Sequence, residues 1–167
     1  MLLELRKLMT TPGESLPFEA SLDLSDLTFG GCRPATEPLV GSGRVRNTAG
    51  VLEMKGSVKT VLHGVCDRCA GEFVREVEYP IDAVLTNDPE SQDSEDPWVF
   101  ELSDGCADLE DILTTTFVLN MDSQLLCRPD CKGLCCRCGR NLNLGPCDCK
   151  PEPDPRLAAL GQLLKTT

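Results

Sequence analysis

Cysteines are the residues of this chain whose type and spacing could do chemistry. There are 11 Cys in 167 residues, most of them in closely spaced pairs, against a single His. In a reducing compartment thiols stay reduced, so paired cysteines indicate metal ligation ahead of a disulfide scaffold. Thiolates are soft ligands that suit Zn²⁺. The sequence therefore predicts structural zinc sites, probed most simply by thiol titration of the unfolded protein.

The clearest pattern lies near the C-terminal end. Cys135 and Cys138 are separated by two residues and followed by Gly139, the spacing of a zinc knuckle that aims two sulfurs at one point. Cys147 and Cys149 come after an eight-residue loop, long enough for the chain to reverse direction. These four cysteines are predicted to hold one zinc ion in a closed tetrahedral site.

Two further pairs remain, Cys66 with Cys69 and Cys127 with Cys131. Each pair supplies half of a four-sulfur site, so a second zinc ion is predicted if the two segments meet in space. A redox dithiol is the alternative for Cys66 and Cys69, but it expects a thioredoxin-like strand and helix, whereas hairpin strands are predicted here. Ordinary structural roles are predicted for the remaining candidates, which are Cys32, Cys106, Cys136 and His63. The alternatives are that Cys136, which stands between ligands, competes for the metal and that His63 replaces one sulfur.

No catalytic residues are predicted. Four sulfurs at each zinc leave no position for a reactive water, which argues against a catalytic metal. The chain also shows no nucleophile elbow, no phosphate-binding glycine loop and no second His for acid–base chemistry. We therefore predict that the protein is not an enzyme and has no small-molecule substrate.

Alternating apolar residues predict the strands that must position these cysteines. A long strand over 51–65 follows a run over 39–46 and a turn at 47–50, which makes one hairpin. The same period continues over 73–85, which makes a second hairpin whose tip carries the first cysteine pair. A strand over 18–24 and a short closing strand at 98–100 complete the pattern.

These elements predict an α+β fold: mainly an antiparallel β-sheet or open barrel of hairpins, one or two helices, and a C-terminal cysteine-rich zinc module. Residues 1–126 are predicted to form the β-rich domain, with an acidic loop at 87–97 and a helix at 108–120. Residues 127–150 are the predicted zinc-binding module. Residues 151–167 are predicted to be a linker and a short amphipathic helix that begins at a proline.

Charge restricts the partners. The formal net charge of −11 and an aromatic content of 4% disfavour non-specific nucleic-acid binding by the whole surface and recognition by stacked rings. Within the predicted zinc module, five basic residues against two acidic ones form a local basic tip that suits a few phosphate contacts: Arg128, Lys132, Arg137, Arg140 and Lys150. The same charges could instead neutralise four-thiolate zinc sites. The acidic loop fits a solvated loop or a dock for a basic partner.

A cytoplasmic location without membrane contact is also predicted. No run approaches 18 consecutive apolar residues, and Glu4, Arg6 and Lys7 stand where a signal peptide would need its apolar region.

Several motifs together resemble the YceD family of large ribosomal RNA subunit accumulation proteins. They are Cys66-Asp67-Arg68-Cys69, Asp130-Cys131-Lys132-Gly133-Leu134-Cys135, Cys138-Gly139, Asn141-Leu142-Asn143, Cys147-Asp148-Cys149 and Asp154-Pro155-Arg156-Leu157. The resemblance implies a bacterial cytosolic protein that is needed for normal levels of large-subunit (23S) ribosomal RNA and has no assigned catalysis. One departure is Cys136, where the family more often has Pro.

Two hypotheses from different classes follow. The first is a zinc-stabilised factor in ribosome biogenesis that contacts ribosomal RNA or a basic large-subunit ribosomal protein. The second is an acidic protein-binding adaptor or chaperone for a basic client, without RNA contact, which the net charge favours. A third interpretation, redox sensing through exposed thiols, would require that peroxide release the metal.

Overall fold

The structure, a computed structural model, describes residues 1–28, 33–87 and 96–149. The predictions for segment 151–167, for Lys150 and Cys32, and for most of the acidic loop therefore lie outside the described residues. The described part contains seven strands and two helices: β1 (Leu2–Glu4), α1 (Arg6–Thr10), β2 (Ser15–Leu22), β3 (Leu39–Thr48), β4 (Val51–Val65), β5 (Glu72–Thr86), β6 (Val99–Glu101), β7 (Cys106–Asp108) and α2 (Leu109–Asn120).

Five strands form one sheet in the order β2-β3-β4-β5-β6. All neighbours pair antiparallel except β5 and β6, which run parallel over three residues. Strands β4 and β5 form the long hairpin, paired from Leu52 with Leu85 to Val65 with Glu72. The prediction of a mainly antiparallel α+β fold is confirmed.

The register of this sheet is fixed at the turn between β3 and β4. Ala49 and Gly50 have φ values of 54° and 98°, the two positive angles that a tight two-residue hairpin needs. The buried side chain of Asn47 supports the turn, because its Oδ1 accepts from the Gly50 amide at 2.9 Å and its Nδ2 donates to the Leu8 carbonyl at 2.7 Å. A fixed register at this end of β4 determines where the opposite end delivers Cys66.

The core lies between one face of the sheet and helix α2. Inward residues of β4 alternate as the sequence predicts, and Met54 and Val58 are fully buried beside Ile112, Leu113 and Phe117 of the helix. Asp108 caps α2 by accepting from the Glu110 amide at 3.0 Å. The end of α2 leads the chain back toward the tip of the β4–β5 hairpin.

Three short elements were not predicted from the sequence. Strand β1 pairs antiparallel with β7 in a separate two-stranded sheet, and α1 follows β1 directly. Elements of three to five residues are too short to show a period of 2 or 3.6. No helix in the described ranges is long and apolar enough to cross a membrane.

Candidate metal centres

One group of four thiols lies where the β4–β5 hairpin meets the segment after α2. We call Cys66, Cys69, Cys127 and Cys131 the hairpin cluster; their Sγ atoms all lie within 4.8 Å of one another. The Sγ atoms of Cys66 and Cys131 are 3.8 Å apart, as are those of Cys69 and Cys127. A tetrahedron with metal–sulfur bonds of about 2.3 Å has edges of about 3.8 Å, whereas a disulfide needs about 2.05 Å. The spacing fits a shared ion.

Backbone hydrogen bonds at the hairpin tip bring the first two thiols together. The Cys66 amide donates to the Gly71 carbonyl at 2.9 Å, and the Ala70 amide donates back to the Cys66 carbonyl at 2.8 Å. Ala70 adopts a φ of 53°, which turns the chain sharply after Cys69. The tip therefore holds both sulfurs on one side of the loop.

The segment after α2 is tied to this tip by a reciprocal pair of hydrogen bonds. The Asp67 amide donates to the Leu125 carbonyl at 2.8 Å, and the Leu125 amide donates to Asp67 Oδ2 at 2.7 Å. Leu125 is buried whereas Asp67 is exposed, so these bonds are partly shielded from water. This contact is what carries Cys127 and Cys131 to the hairpin.

A second link runs through Arg68. Its guanidinium donates to the Cys131 carbonyl at 3.1 Å, and its own carbonyl accepts from the Leu134 amide at 3.0 Å. Gly133 has a φ of 73°, and a Cβ there would lie 2.9 Å from the Arg68 carbonyl oxygen. Only glycine allows this close approach of the two backbones.

Burial and hydrogen bonding act differently on the four thiols. Cys66 is 1% exposed; burial opposes its ionisation, but amides of Cys127, Cys69 and Arg68 outweigh that penalty and lower its pKa to about 6. Burial beside the other sulfurs raises the pKa of Cys127 to about 12. Burial opposes ionisation of Cys131 as well, but the hydrogen bond from Asn143 helps to outweigh it and the pKa of this thiol is lowered. The protein alone therefore favours thiolates at Cys66 and Cys131, while a divalent cation would be needed to ionise all four.

The second group lies beyond the hairpin cluster and is more open. We call Cys135, Cys138, Cys147 and Cys149 the tail cluster; their Sγ atoms also lie within 4.8 Å of one another. Cys138 is exposed and the other three are half-buried. The Gly139 amide donates to the Cys135 carbonyl at 2.9 Å, and Gly139 has a φ of 71°, so the knuckle turns as its sequence predicts.

In the tail cluster the protein alone favours one thiolate, that of Cys135. The amides of Cys138 and Arg137 point at the sulfur of Cys135 and lower its pKa to about 6. The pKa of Cys149 is raised to about 12, first by its hydrogen bond to the Cys138 sulfur and then by burial. A cation at the centre would remove this competition for protons.

Four of the predicted RNA-contacting residues lie on the surface around the two clusters. Arg128, Lys132, Arg137 and Arg140 are all exposed. Arg128 is held in place, because its Nη2 donates to Asn143 Oδ1 at 2.8 Å and its Nε lies 3.4 Å from Asp130 Oδ1.

The sequence reasoning did not single out Asn143 as a functional residue. Its side chain donates to the sulfur of Cys131 at 3.3 Å although it belongs to the loop of the tail cluster. The Asn141-Leu142-Asn143 motif is the signal that could have drawn attention to it. His63, Cys106 and Cys136 join neither of the two thiol groups found in the described residues; His63 Nε2 lies 3.8 Å from Glu37 Oε1 instead.

Comparison with known proteins yields one family. A family model described as "Large ribosomal RNA subunit accumulation protein YceD" matches residues 54–164. The chain is 27% identical over 165 residues to "Large ribosomal RNA subunit accumulation protein YCED homolog 1, chloroplastic" from Zea mays, covering 81% of this chain and 56% of that protein. It is 28% identical over 123 residues to uncharacterised proteins of Mycobacterium bovis and Mycobacterium tuberculosis, covering 72% of this chain and 59% of theirs.

The chain thus spans less than two thirds of the length of these curated relatives. No solved structure matches it significantly.

Proposed function

Because the chain belongs to the YceD family, we propose that it is a non-enzymatic, zinc-stabilised factor in ribosome biogenesis that supports accumulation of large-subunit (23S) ribosomal RNA. The family is named for the accumulation of an RNA rather than for a reaction, which supports a role in ribosome biogenesis. The single observation that carries the zinc part is the convergence of eight thiols into two groups of four.

The donor chemistry favours zinc as the ion. All-sulfur tetrahedral sets select Zn²⁺ or iron–sulfur centres over hard cations such as Mg²⁺ and Ca²⁺. Four ligands from the protein close the coordination sphere, which is the arrangement of structural rather than catalytic zinc. A structural zinc supplies about 10–16 kcal/mol of apparent binding free energy, which is available for folding the segment 127–149 onto the sheet.

Exposed cations beside the clusters support contact with RNA. Lys132, Arg137 and Arg140 lie close in sequence to the ligands, so an ordered cluster would hold them in a fixed pattern. A preformed array of a few cations loses little entropy on binding phosphates, and at a Debye length of about 8 Å it acts independently of distant acids. We propose these residues, with Arg128 and Lys150, as the RNA contact, in the cytoplasm of a bacterium.

A basic ribosomal protein is the second candidate partner. One observation favours it: the outer face of β5 presents the exposed acids Glu72, Glu76, Glu78 and Asp82 in alternation. Glu78 and Asp82 pair with Lys59 and Lys55, while the other two carry no ion pair in the described part of the chain. An acidic stripe of this kind suits a cationic client.

Charge reversal separates the two partners. A variant with Arg137→Glu and Arg140→Glu is compared with a variant carrying Glu72→Lys and Glu76→Lys, by sedimentation of extracts and by crosslinking to RNA. We expect the first variant to lose crosslinked ribosomal RNA and to leave the ribosomal fractions, and the second to behave as the unchanged protein. The reverse pattern would favour the adaptor function. Unchanged levels of 23S RNA after depletion of the protein would contradict both.

A further inference from the structure

The side chain of Asn143 joins the two thiol groups. Asn143 lies in the loop between Cys138 and Cys147, both of the tail cluster, yet its Nδ2 donates to the sulfur of Cys131 in the hairpin cluster at 3.3 Å. The neighbouring residue of the same loop, Leu144, is 83% exposed. The loop therefore turns one residue inward and the next outward.

Three hydrogen bonds besides the one to sulfur fix the orientation of this side-chain amide. Its Oδ1 accepts from the Lys132 amide at 2.8 Å and from Arg128 Nη2 at 2.8 Å. Its Nδ2 also donates to Asn141 Oδ1 at 2.8 Å, and its backbone amide donates to the same oxygen at 3.0 Å. With both acceptor positions taken by N–H donors, the remaining Nδ2 hydrogen can only face the sulfur.

Formation of either cluster orders residues that also surround the other cluster. Closing the tail cluster fixes both ends of the loop, and the Leu142 amide then bonds the Gly133 carbonyl at 2.9 Å. Closing the hairpin cluster fixes Cys131, and with it the adjacent Lys132 amide that holds Asn143 Oδ1. Because these residues are already ordered when the first ion is bound, binding of the second ion loses less conformational entropy.

We infer that Asn143 is a positioning residue that makes the two sites bind metal cooperatively, each raising the affinity of the other. This inference rests on the proposed metal sites. Hydrogen bonds to ligands typically change metal affinity about 10- to 100-fold when they are removed. Because coupling between two sites is reciprocal, its loss affects both ions equally.

Native mass spectrometry of the full chain tests the coupling directly. Metal-free protein, prepared anaerobically, receives one equivalent of Zn²⁺, and the chains with no, one and two ions are counted. The informative quantity is the product of the empty and two-ion populations divided by the square of the one-ion population.

Loss of coupling lowers this ratio, but so does an unequal change in the affinities of the two sites. Cys66→Ser and Cys138→Ser versions of every variant, each lacking one ligand of one cluster, therefore give the affinity of the other site alone. The ratio is then divided by the value expected for independent sites with those affinities, and only loss of coupling lowers this corrected ratio.

We expect Asn143→Ala to lower the corrected ratio about tenfold relative to the unchanged protein. Asn143→Asp keeps Oδ1 for Lys132 and Arg128 and should lower it as well, because it removes the donor to sulfur. Leu144→Ala, in the same loop, is the matched control and should leave the corrected ratio unchanged.

An equal corrected ratio in the Asn143 variants and in the unchanged protein would overturn the inference while leaving two metal sites intact. Failure of the unchanged protein to bind Zn²⁺ at all would instead overturn the proposed metal sites, and this inference with them.

Discussion

The two cysteine clusters share their chemistry but differ in what surrounds them. The hairpin cluster has three buried sulfurs and takes its ligands from segments about 60 residues apart, with Cys66 and Cys131 at a separation of 65. The tail cluster is half-exposed and takes all its ligands from 15 consecutive residues, 135–149. A local site can be closed by any chain that forms its loop, whereas a long-range site can form only when the sheet and the helix are already placed. Formation of the hairpin cluster therefore depends on the whole fold, and formation of the tail cluster depends on one loop.

Removing one ligand from each cluster tests this difference most directly. We expect Cys66→Ser to detach the segment after α2 from the sheet, since a structural zinc contributes about 10–16 kcal/mol, comparable with the stability of a domain. Amide hydrogen exchange at Asp67 and Leu125, which bond each other across this junction, should then lose its protection. Cys138→Ser is the matched variant and should leave that protection in place. Equal loss in both variants would contradict the distinction.

The order of metal release should follow exposure. A chelator needs access to the ion, and Cys138 is exposed while Cys66 is 1% exposed. We expect the tail ion to leave first and the hairpin ion about tenfold more slowly, because the second requires local unfolding. Alkylation followed by peptide mass spectrometry identifies the freed cysteines at each time. Release in the opposite order would show that burial does not control access.

The packing of the two regions can be compared at two glycines that have nearly the same backbone angle. Gly133 and Gly139 have φ values of 73° and 71°, so alanine is strained by about 1–2 kcal/mol at either position. Only at Gly133 would the new Cβ also meet a backbone atom, the Arg68 carbonyl oxygen at 2.9 Å. Urea unfolding should therefore show a larger loss of stability for Gly133→Ala than for Gly139→Ala. An equal loss would mean that the junction can move aside.

The smallest effect is expected away from both clusters, at the cap of α2. Asp108→Ala should cost about 1 kcal/mol of unfolding free energy and leave the zinc content unchanged. The hydrogen bond from the N-terminal ammonium lowers the pKa of this carboxyl. A lowered folded-state pKa means that its contribution is present at neutral pH and is lost as the pH falls through that lowered value. A change in zinc content in this variant would show that the cap influences the clusters.

Much of the fold could be predicted from the sequence because a long strand repeats its two-residue alternation of buried and exposed side chains many times. The strand over 51–65 was predicted with the bounds that β4 has, and its inward residues are buried. The parallel pairing of β6 and the β1–β7 sheet were missed, because three residues carry no readable period and pairing partners are non-local.

For the candidate sites, spacing in the sequence identified eight cysteines as metal-ligand candidates, and the structure brings their sulfurs into two groups of four. The grouping of the tail cluster follows from local spacing alone. The grouping of Cys66 and Cys69 with Cys127 and Cys131 depends on the Asp67–Leu125 contact, which no spacing rule contains. The division at residue 127 stays a prediction, as do zinc as the ion and the basic residues as the RNA contact.

The long strands, helix α2 and the ligand types can be predicted from the sequence, because side-chain period and thiol chemistry are properties of neighbouring residues. Only the folded chain establishes that Cys66 and Cys69 meet Cys127 and Cys131, how deeply each group is buried, and that Asn143 reaches from one group to the other. The physical reason is that contacts between distant segments depend on the register of the sheet and on the path of the chain after α2. Both are set by the packing of the whole core rather than by any local run of residues.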